Sequence, residues 1–446
     1  MIFEIKKQKG RMHPRSWLKA STASVLIAFF LAACSDFFEP VDSTSTPTEY
    51  TYNYWLLQRT YLFEDELPLL DEQGDSVSEL YNKLSDPFTR YVPPAKSEET
   101  ITHINTSIVP GDVGMEYTLF TQMEHPLVIY RVYPESPAGR AGIKRYGNIL
   151  NVNGVEITGA NAFDTYNSIL AQNKEVSITV ESLGDTTIYK LTKEDVYAPT
   201  VFIDTLSGVQ VITITSFKLN TANRTEGTFG ELKAYLDSTK NTTEPRIIDL
   251  RNNPGGHVNH CTSMAGLFVP EDSIVSTRYW RSFGADGKPV YNKLSILADS
   301  SGSGRNGKFL MLVNSNSASC AEIFAVALQE GANIPVAGER SYGKGIGQST
   351  WKTMAGGLSL ITNLEFLTPK GNSYNKIGLF PDYPCESATL QCGFDALEAK
   401  YGSKSKKAAL KKSAASSYAS DPKVLRRYKD FGGAIMNGDS LDILVY

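Results

Sequence analysis

The sequence predicts an α/β core, a mixed sheet with flanking helices, joined to a β-rich domain and a small N-terminal helical domain. Apolar residues recur at roughly helical spacing from Tyr50 to Leu84, and short β-type runs separated by Gly, Asn and Asp turns fill residues 94–192. From Val201 to Asp395, strand-like runs alternate with helical ones. A chain of 446 residues with 41% apolar content can bury more than one core.

The first 33 residues have the layout of a secretory signal. Basic residues precede an apolar run from Val25 to Ala33, which is shorter than the roughly 20 apolar residues that a membrane span needs. The run ends in Leu31-Ala32-Ala33-Cys34, which resembles a bacterial lipobox, whose cysteine is acylated. We therefore expect an exported protein anchored through lipid on Cys34 to the bacterial cell envelope, at the periplasmic or surface face of a membrane. The alternative is an ordinary signal peptide with a buried cysteine.

The segments around the folded domains are predicted from composition. Residues 34–48 are rich in Ser, Thr, Pro and acidic residues, which cannot build a core, so they form a tether. Residues 49–93 form the helical domain, and residues 396–446 form a C-terminal extension with lysines among Ala and Ser. The net charge of −4 gives no positive electrostatic field that would attract nucleic acid. Nucleic acid is therefore not expected as a partner.

Export also affects the cysteines, because an oxidising compartment permits disulfides. Cys385 and Cys392 lie close enough in sequence to pair. Cys261 and Cys320 are equally compatible with a disulfide and with buried free thiols. The sequence leaves the pairing open.

Residues 94–195 form the predicted β-rich domain. Within it, Ser136 to Ile143, followed by Gly147 to Gly154, resembles the middle of PDZ domains, which implies that residues 94–195 are a PDZ domain. The carboxylate-binding loop of PDZ domains is then expected at Asp112, Val113, Gly114 and Met115. The resemblance implies that N–H groups of this loop bind a peptide's terminal carboxylate, while the peptide adds as a strand to the sheet edge. Asp112 stands where many PDZ domains have glycine, and an ordinary turn is the alternative.

Residues 196–395 contain a candidate nucleophile. Phe309 to Leu328 has the pattern of a strand, a turn of small residues and an amphipathic helix, with Ser319 at the junction. A hydroxyl there lies at a helix N-terminus, where unpaired N–H groups favour developing negative charge. Ser319 and Glu322 also form a capping-box motif, and on this motif alone the cap is the better explanation.

A second motif changes the balance. Lys344 lies in a Gly-Lys-Gly turn 25 residues after Ser319, and Gln348 follows four residues later. Further matching segments are Ile247 to Gly256, Thr368 to Gly371 and Gly378 to Asp382. With the PDZ match, these motifs resemble the C-terminal processing peptidases, which are tail-specific serine proteases of the S41 type. The resemblance extends from about Ser85 to Asp382.

The resemblance implies a serine endopeptidase that cleaves proteins recognised through their C-terminal tails, without a cofactor. Ser319 would be the nucleophile, Lys344 the base and Gln348 the residue that orients the base. A lysine with a free pKa of about 10.4 acts as a base near neutral pH only when burial or a positive field lowers that pKa. An amide suits the orienting role, because it holds the amine without restoring its charge.

Two aimed N–H donors must stabilise the oxyanion. We expect one from Cys320 or Ser319 and one from Gly255 or Gly256, because glycine allows close approach. For the two glycines, a plain strand-to-helix turn is the alternative.

Parts of the sequence also fit other functions. Gly338 to Lys344 fits most of a nucleotide-binding P-loop, but Gly345 stands where a Ser or Thr hydroxyl should bind magnesium. His257 and His260 lie one helical turn apart but have no acidic or cysteine companion at an obvious spacing other than Cys261, so no metal site is predicted. A non-catalytic, PDZ-bearing lipoprotein that only binds tails remains the alternative function.

Overall fold

The computed structural model describes residues 47–402, apart from residue 72, residues 284–287 and residues 299–301. The predicted signal, the Cys34 lipidation site, most of the tether and the extension beyond residue 402 lie outside the described residues. From Glu49 onward, the described residues belong to one compact unit. None of the helices described between residues 47 and 402 is long and apolar enough to cross a bilayer.

The N-terminal helices pack on a strand of the core. Tyr50 and Leu57 share a buried cluster with Ile361 of that strand, because the apolar stripe of two short helices cannot bury itself. Ser76 begins the second helix, where its side chain accepts the N–H of Glu79. The elements are α1 (Glu49–Thr60), a short 3-10 turn (Glu64–Glu66), α2 (Val77–Asn82), β1 (Arg90–Val92) and α3 (Pro94–Asn105).

The β-rich region follows. Its elements are β2 (Ile108–Asp112), β3 (Met115–Leu119), β4 (Leu127–Val132), α4 (Pro137–Arg140), β5 (Asn148–Val152), β6 (Val155–Glu156), α5 (Ala162–Gln172), β7 (Glu175–Ser182), β8 (Asp185–Thr192) and β9 (Glu194–Tyr197). The main sheet is antiparallel in the order β3-β4-β5-β7-β8, with β6 paired to β5, and β2 pairs with β9. Ile129, Ile149 and Tyr166 belong to its buried cluster.

The core alternates strands and helices. Its elements are β10 (Val201–Leu206), β11 (Val209–Ile214), α6 (Gly227–Ser238), β12 (Arg246–Asp249), α7 (Val258–Gly266), β13 (Ile274–Phe283), β14 (Pro289–Leu297), β15 (Phe309–Val313), α8 (Cys320–Ala332), β16 (Val336–Gly338), β17 (Ile346–Lys352), β18 (Leu358–Leu367), β19 (Tyr383–Pro384) and α9 (Leu390–Tyr401).

The first core sheet is mixed, as predicted, with the order β10-β11-β12-β15-β16-β19. Within this sheet, β11, β12, β15, β16 and β19 are parallel to one another, and β10 is an antiparallel edge strand. Helices α6, α7 and α8 contribute to the buried cluster on one face, and α9 contributes to a second cluster with the other face. Because β12 and β15 are parallel neighbours, the loops at their carboxyl ends lie at the same sheet edge.

The second core sheet is antiparallel, with the order β1-β18-β13-β14 and with β17 paired to β18. Strand β17 carries Gln348, and its neighbour β18 carries Thr362 opposite it in the register. Strand β1 brings the N-terminal part of the chain to the same sheet, since Arg90 pairs with Leu360. This sheet therefore supplies side chains to the candidate site.

Both disulfides that the sequence left open are formed. Cys261 of α7 is bonded to Cys320, the first residue of α8. Cys385 is bonded to Cys392 in the first turn of α9. The first of these bonds joins two core helices directly beside the candidate nucleophile.

The observed elements cross some of the predicted domain limits. Strand β9 runs through residue 195, and helix α9 runs through residue 395. Helix α3 is attached to the core, because the carbonyl of Asn105 accepts the N–H groups of Leu219 and Asn220. The β-rich region therefore begins at Ile108 rather than at residue 94.

Candidate active site

Ser319 lies between β15 and α8 in a backbone conformation that an ordinary helix cap does not have. Its φ is 55° and its ψ is −117°. N-cap residues normally lie in the β region, and positive φ is uncommon for residues other than glycine. Holding serine in a sparsely populated conformation costs about 1–3 kcal/mol, and such residues cluster at active sites. The capping box is present, but the backbone of Ser319 departs from that of a simple cap.

The carboxylate of Glu322 joins the segment of Ser319 to that of Lys344. Its Oε2 accepts the N–H of Ser319 at 2.9 Å and the N–H of Lys344 at 2.8 Å. Its Oε1 accepts the N–H of Gly343 at 2.7 Å and the hydroxyl of Ser341. The backbone nitrogens of Ser319 and Lys344 are thus within two hydrogen-bond lengths of each other. From the sequence, Glu322 is predicted only as part of a helix capping box.

Glu322 is fully buried, and this burial has the largest effect on the pKa of its carboxyl group. Desolvation raises the pKa of its carboxyl group, and the four hydrogen bonds act in the opposite direction. An acceptor-only carboxylate matches four converging donors, which a neutral side chain of the same size cannot do.

Lys344 and Gln348 are in direct contact. The amine of Lys344 donates to Gln348 Oε1 at 3.0 Å, and Gln348 Nε2 donates to Thr362 Oγ1 at 2.8 Å. Burial lowers the pKa of Lys344 to about 8. Arg90 also lowers this pKa, whereas the carboxylates of Asp86 and Glu322 raise it by smaller amounts. Among the ion pairs between described residues, none involves Lys344.

The glycine turn after β12 lies against Ser319. Gly255 has a φ of 102°, and a Cβ there would lie 2.8 Å from Cys320 N and 2.8 Å from Ser319 Cβ. Gly256 has a φ of 143°, and its Cβ would lie 2.1 Å from the carbonyl oxygen of Phe217. Only glycine fits at either position, so the close approach expected from the sequence is present.

Of the four N–H groups predicted as oxyanion donors, two are already engaged. The N–H of Gly255 donates to Asn253 Oδ1 at 2.8 Å, and that of Ser319 donates to Glu322. Within residues 47–402, as far as they are described, no acceptor binds the N–H of Gly256 or that of Cys320. Asn253 holds the turn in place, since its Nδ2 donates to the carbonyl of Ile214 at 2.8 Å.

The predicted peptide-binding loop lies apart from this constellation in sequence, in the β-rich region. Asp112 ends β2, Met115 begins β3, and Val113 is 1% exposed. Gly114 has a φ of 81°, which permits the tight turn. The carboxylate of Asp112 accepts the N–H of Gly114, so one donor expected for a peptide carboxylate is occupied by the loop itself.

The residues considered for a metal show no ligand set. Among the described residues, no group of three or more His, Cys, Asp or Glu side chains is arranged to hold an ion. His257 Nε2 is hydrogen-bonded to Asn105 Oδ1 at 2.8 Å.

Comparison with known proteins shows the relationships of the chain. The sequence model of peptidase family S41 matches residues 208–385, a segment that includes Gly255, Ser319 and Lys344. A carboxyl-terminal-processing protease of Picosynechococcus is 27% identical over 341 residues, which are 74% of this chain and 77% of the relative. A probable CtpA-like serine protease of Staphylococcus aureus is 27% identical over 340 residues, covering 76% of this chain but only 64% of the relative.

A solved structure shows the same fold. The putative S41 protease from Bacteroides fragilis has a TM-score of 0.56 at 15% identity and covers 82% of this chain and 99% of its own. In fold, the chain resembles this S41 protease, and in sequence it is similar to peptidases, among them probable serine proteases. More particularly, residues 208–385 match the model of peptidase family S41, and a carboxyl-terminal-processing protease is similar to this chain over most of its length.

Proposed function

We propose that this protein is a serine endopeptidase in which Ser319 is the nucleophile, Lys344 is the general base and Gln348 orients the base. The observation that carries the proposal is the environment of Lys344. Its amine is hydrogen-bonded to the neutral amide of Gln348, and burial lowers its pKa to about 8. Such an amine is neutral in a substantial fraction of molecules near that pH and accepts a proton from a hydroxyl. Tail binding without catalysis would not require an amine with a lowered pKa.

The proposed reaction runs in two halves. The neutral amine of Lys344 takes the proton of Ser319 as Oγ attacks the scissile carbonyl carbon, which gives a tetrahedral oxyanion and an ammonium. The ammonium then gives the proton to the leaving amine as the C–N bond breaks, leaving an acyl-enzyme. Water attacks the ester with Lys344 again as base, which releases the new carboxyl terminus and restores Ser319.

For the oxyanion we propose the N–H groups of Gly256 and Cys320. Of the four candidates, these two are supported by the absence of a competing acceptor among the described residues. Cys320 is the first residue of α8, so the positive end of the helix dipole adds to its donor. The bond from Cys320 to Cys261 ties that donor to α7.

Recognition of substrates through their C-terminal tails is the second part of the proposal, with Asp112, Val113, Gly114 and Met115 as the binding loop of a PDZ domain. A peptide carboxylate approaching the N–H of Gly114 has to displace the Asp112 carboxylate, which also repels it. Tail preference is therefore expected to be present but weakened by Asp112.

The test compares a peptide with a free C-terminus and the same peptide amidated, with cleavage followed by mass spectrometry. We expect the free acid to be cleaved faster. Asp112→Gly, which frees the N–H and removes the charge, should raise the ratio of the two rates by at least about tenfold, since a hydrogen bond to a charged group contributes about 1.5–3 kcal/mol. Asp112→Asn keeps an acceptor and removes only the charge, so it should give an intermediate ratio. Equal rates for both peptides in all three proteins would contradict tail recognition and leave the proposed hydrolysis standing.

We also propose that the protein is exported and anchored in the cell envelope through lipid on Cys34. The basic residues, apolar run and Leu-Ala-Ala-Cys ending support this. Cys34→Ala is expected to move the protein from the membrane fraction to the soluble fraction, as followed by immunoblotting of fractionated cells. Cys261→Ala is the control, because it removes a cysteine of the core and leaves the lipobox intact. Unchanged fractionation of Cys34→Ala would contradict the anchor.

A further inference from the structure

The amine of Lys344 has a contact that the Ser-Lys-Gln arrangement does not account for. Its Nζ lies 4.1 Å from the centroid of the Phe88 ring. Phe88 belongs to the loop between α2 and β1, far from Lys344 in sequence and outside the segment that matches family S41. A half-buried aromatic ring from the N-terminal part of the chain therefore lies against the proposed base.

The loop that carries the ring is held by one buried carboxylate. Asp86 is 7% exposed, and its Oδ1 accepts the N–H of Phe88 at 3.0 Å. Its Oδ2 accepts the hydroxyl of Thr89 at 2.6 Å. Pro87 lies between them with a fixed φ, which favours a tight turn. These bonds limit the directions in which the Phe88 side chain can point.

The same loop is linked to the other side of Lys344 by consecutive hydrogen bonds. Thr89 Oγ1 accepts the N–H of Thr362 at 2.9 Å. Thr362 Oγ1 accepts Nε2 of Gln348 at 2.8 Å, which turns Oε1 of that amide to the amine of Lys344. Strand β1, which follows the loop, is paired with β18 next to Thr362. The loop thus reaches the base both through the ring and through Gln348.

We propose that Asp86, Phe88 and Thr89 are positioning residues for Lys344: the Phe88 ring excludes water from the amine, and Asp86 and Thr89 hold the ring and the Gln348 amide against it. The inference rests on the proposed function, because it assigns these residues to the same base. It makes the N-terminal segment a part of the active site rather than a separate helical domain.

An aromatic ring has two opposite effects on a nearby amine. Its π face stabilises the ammonium form, by about 0.5–2 kcal/mol, whereas its bulk removes the water that the ammonium needs. Burial is the largest influence on Lys344, and the net shift of its pKa is downward, to about 8. The charged groups that act on the amine are the carboxylates of Asp86 and Glu322, which raise the pKa, and Arg90, which lowers it. Exclusion of water is therefore the dominant effect that we assign to Phe88.

The test is a direct titration of Lys344 by NMR in the full-length chain, with isotope-labelled lysine Cε and with Lys344→Arg to assign the signal. In Phe88→Ala, water reaches the amine, so the pKa of Lys344 is expected to rise by about one unit, equivalent to about 1.4 kcal/mol. The ascending limb of the kcat/KM pH profile should move to higher pH by the same amount. Phe88→Leu keeps an apolar cover but loses the ring face that stabilises the ammonium, so its pKa should equal the wild-type value or fall below it.

A second pair of variants tests the hydrogen-bonded part. Thr89→Val keeps the shape of the side chain but loses the hydroxyl, and it should raise the pKa of Lys344 in the same direction. Thr89→Ser keeps the hydroxyl and should restore the wild-type pKa. Melting temperatures of all four variants show whether each is folded at the titration temperature.

The proposal is overturned by an unchanged or lowered pKa of Lys344 in folded Phe88→Ala, or by an equal rise in Phe88→Leu. The role of Thr89 is overturned if Thr89→Val and Thr89→Ser give the same pKa. Failure of the proposed function is a separate outcome, because a wild-type protein that cleaves no peptide still reports the pKa of Lys344 by NMR.

Discussion

Replacement of Lys344 by alanine is expected to abolish peptide cleavage by the purified protein, with a loss in kcat of about 10⁴-fold or more. The variant has no group in place of the amine to take the proton from Ser319. Lys344→Arg should be equally inactive, because a guanidinium does not deprotonate in proteins. Cleavage of a fluorogenic peptide measures the loss. Lys352→Ala is the matched control and should keep full activity. It removes an exposed lysine at the end of β17, the strand that follows Lys344.

The pH dependence of the wild-type protein gives an independent check of the same role. Burial lowers the pKa of Lys344 to about 8, and only the neutral amine acts as a base. The value of kcat/KM should therefore rise as the pH rises through about 8 and level off above it. Retained proteolysis in Lys344→Ala, or a profile without an ascending limb in this range, would contradict the assignment of the base.

Removal of the Glu322 carboxylate is expected to have the second-largest effect, on both activity and stability. In Glu322→Ala, four donors that converge on the carboxylate lose their acceptor: the N–H groups of Ser319, Gly343 and Lys344 and the hydroxyl of Ser341. Each buried donor left unsatisfied costs about 1–3 kcal/mol. We expect the free energy of unfolding to fall by at least about 3 kcal/mol, together with a large loss of kcat, because the nucleophile and base segments are no longer tied together.

The chain offers a matched control on the same helix. Glu330 lies near the end of α8 and accepts one backbone N–H, that of Lys370, at an exposed position. Glu330→Ala should change the free energy of unfolding by about 1 kcal/mol or less and leave kcat unchanged. Glu322→Gln replaces one acceptor oxygen with an NH2 group that faces donors, so it should not restore activity. Chemical denaturation and peptide cleavage measure both effects. If Glu322→Ala were as stable and as active as Glu330→Ala, the proposal that Glu322 holds the segments of Ser319 and Lys344 together would be contradicted.

The sequence predicted the components of the site because each lies in a local pattern. The strand, small-residue turn and amphipathic helix around Ser319 form as predicted, and the Gly-Lys-Gly turn leads directly into β17 with Gln348 on it. The alternation of strands and helices likewise predicted the mixed sheet with flanking helices. Such features depend on neighbours within a few residues, so a single sequence is enough to predict them.

The same local patterns could not distinguish a cap from a nucleophile at Ser319. Ser319 and Glu322 have a capping-box sequence in either case, and the positive φ of Ser319 is imposed by the segments around it. Gly255 approaches Ser319 from another strand, and Asn253 holds that turn. The choice depends on packing between distant segments, which leaves no trace in the spacing of one motif.

What the sequence by itself determined is the set of chemical groups: a serine at a helix N-terminus, a lysine between glycines, an amide four residues later and a glycine turn after a buried strand. The tertiary structure alone decided which of them meet and in what surroundings. Glu322 binds two segments at once, Phe88 covers the amine from the N-terminal part of the chain, and Asp112 occupies a donor of its own loop. The physical reason is that hydrogen-bond partners and exclusion of water depend on where the folded chain brings distant residues, whereas motifs record only residues adjacent in sequence.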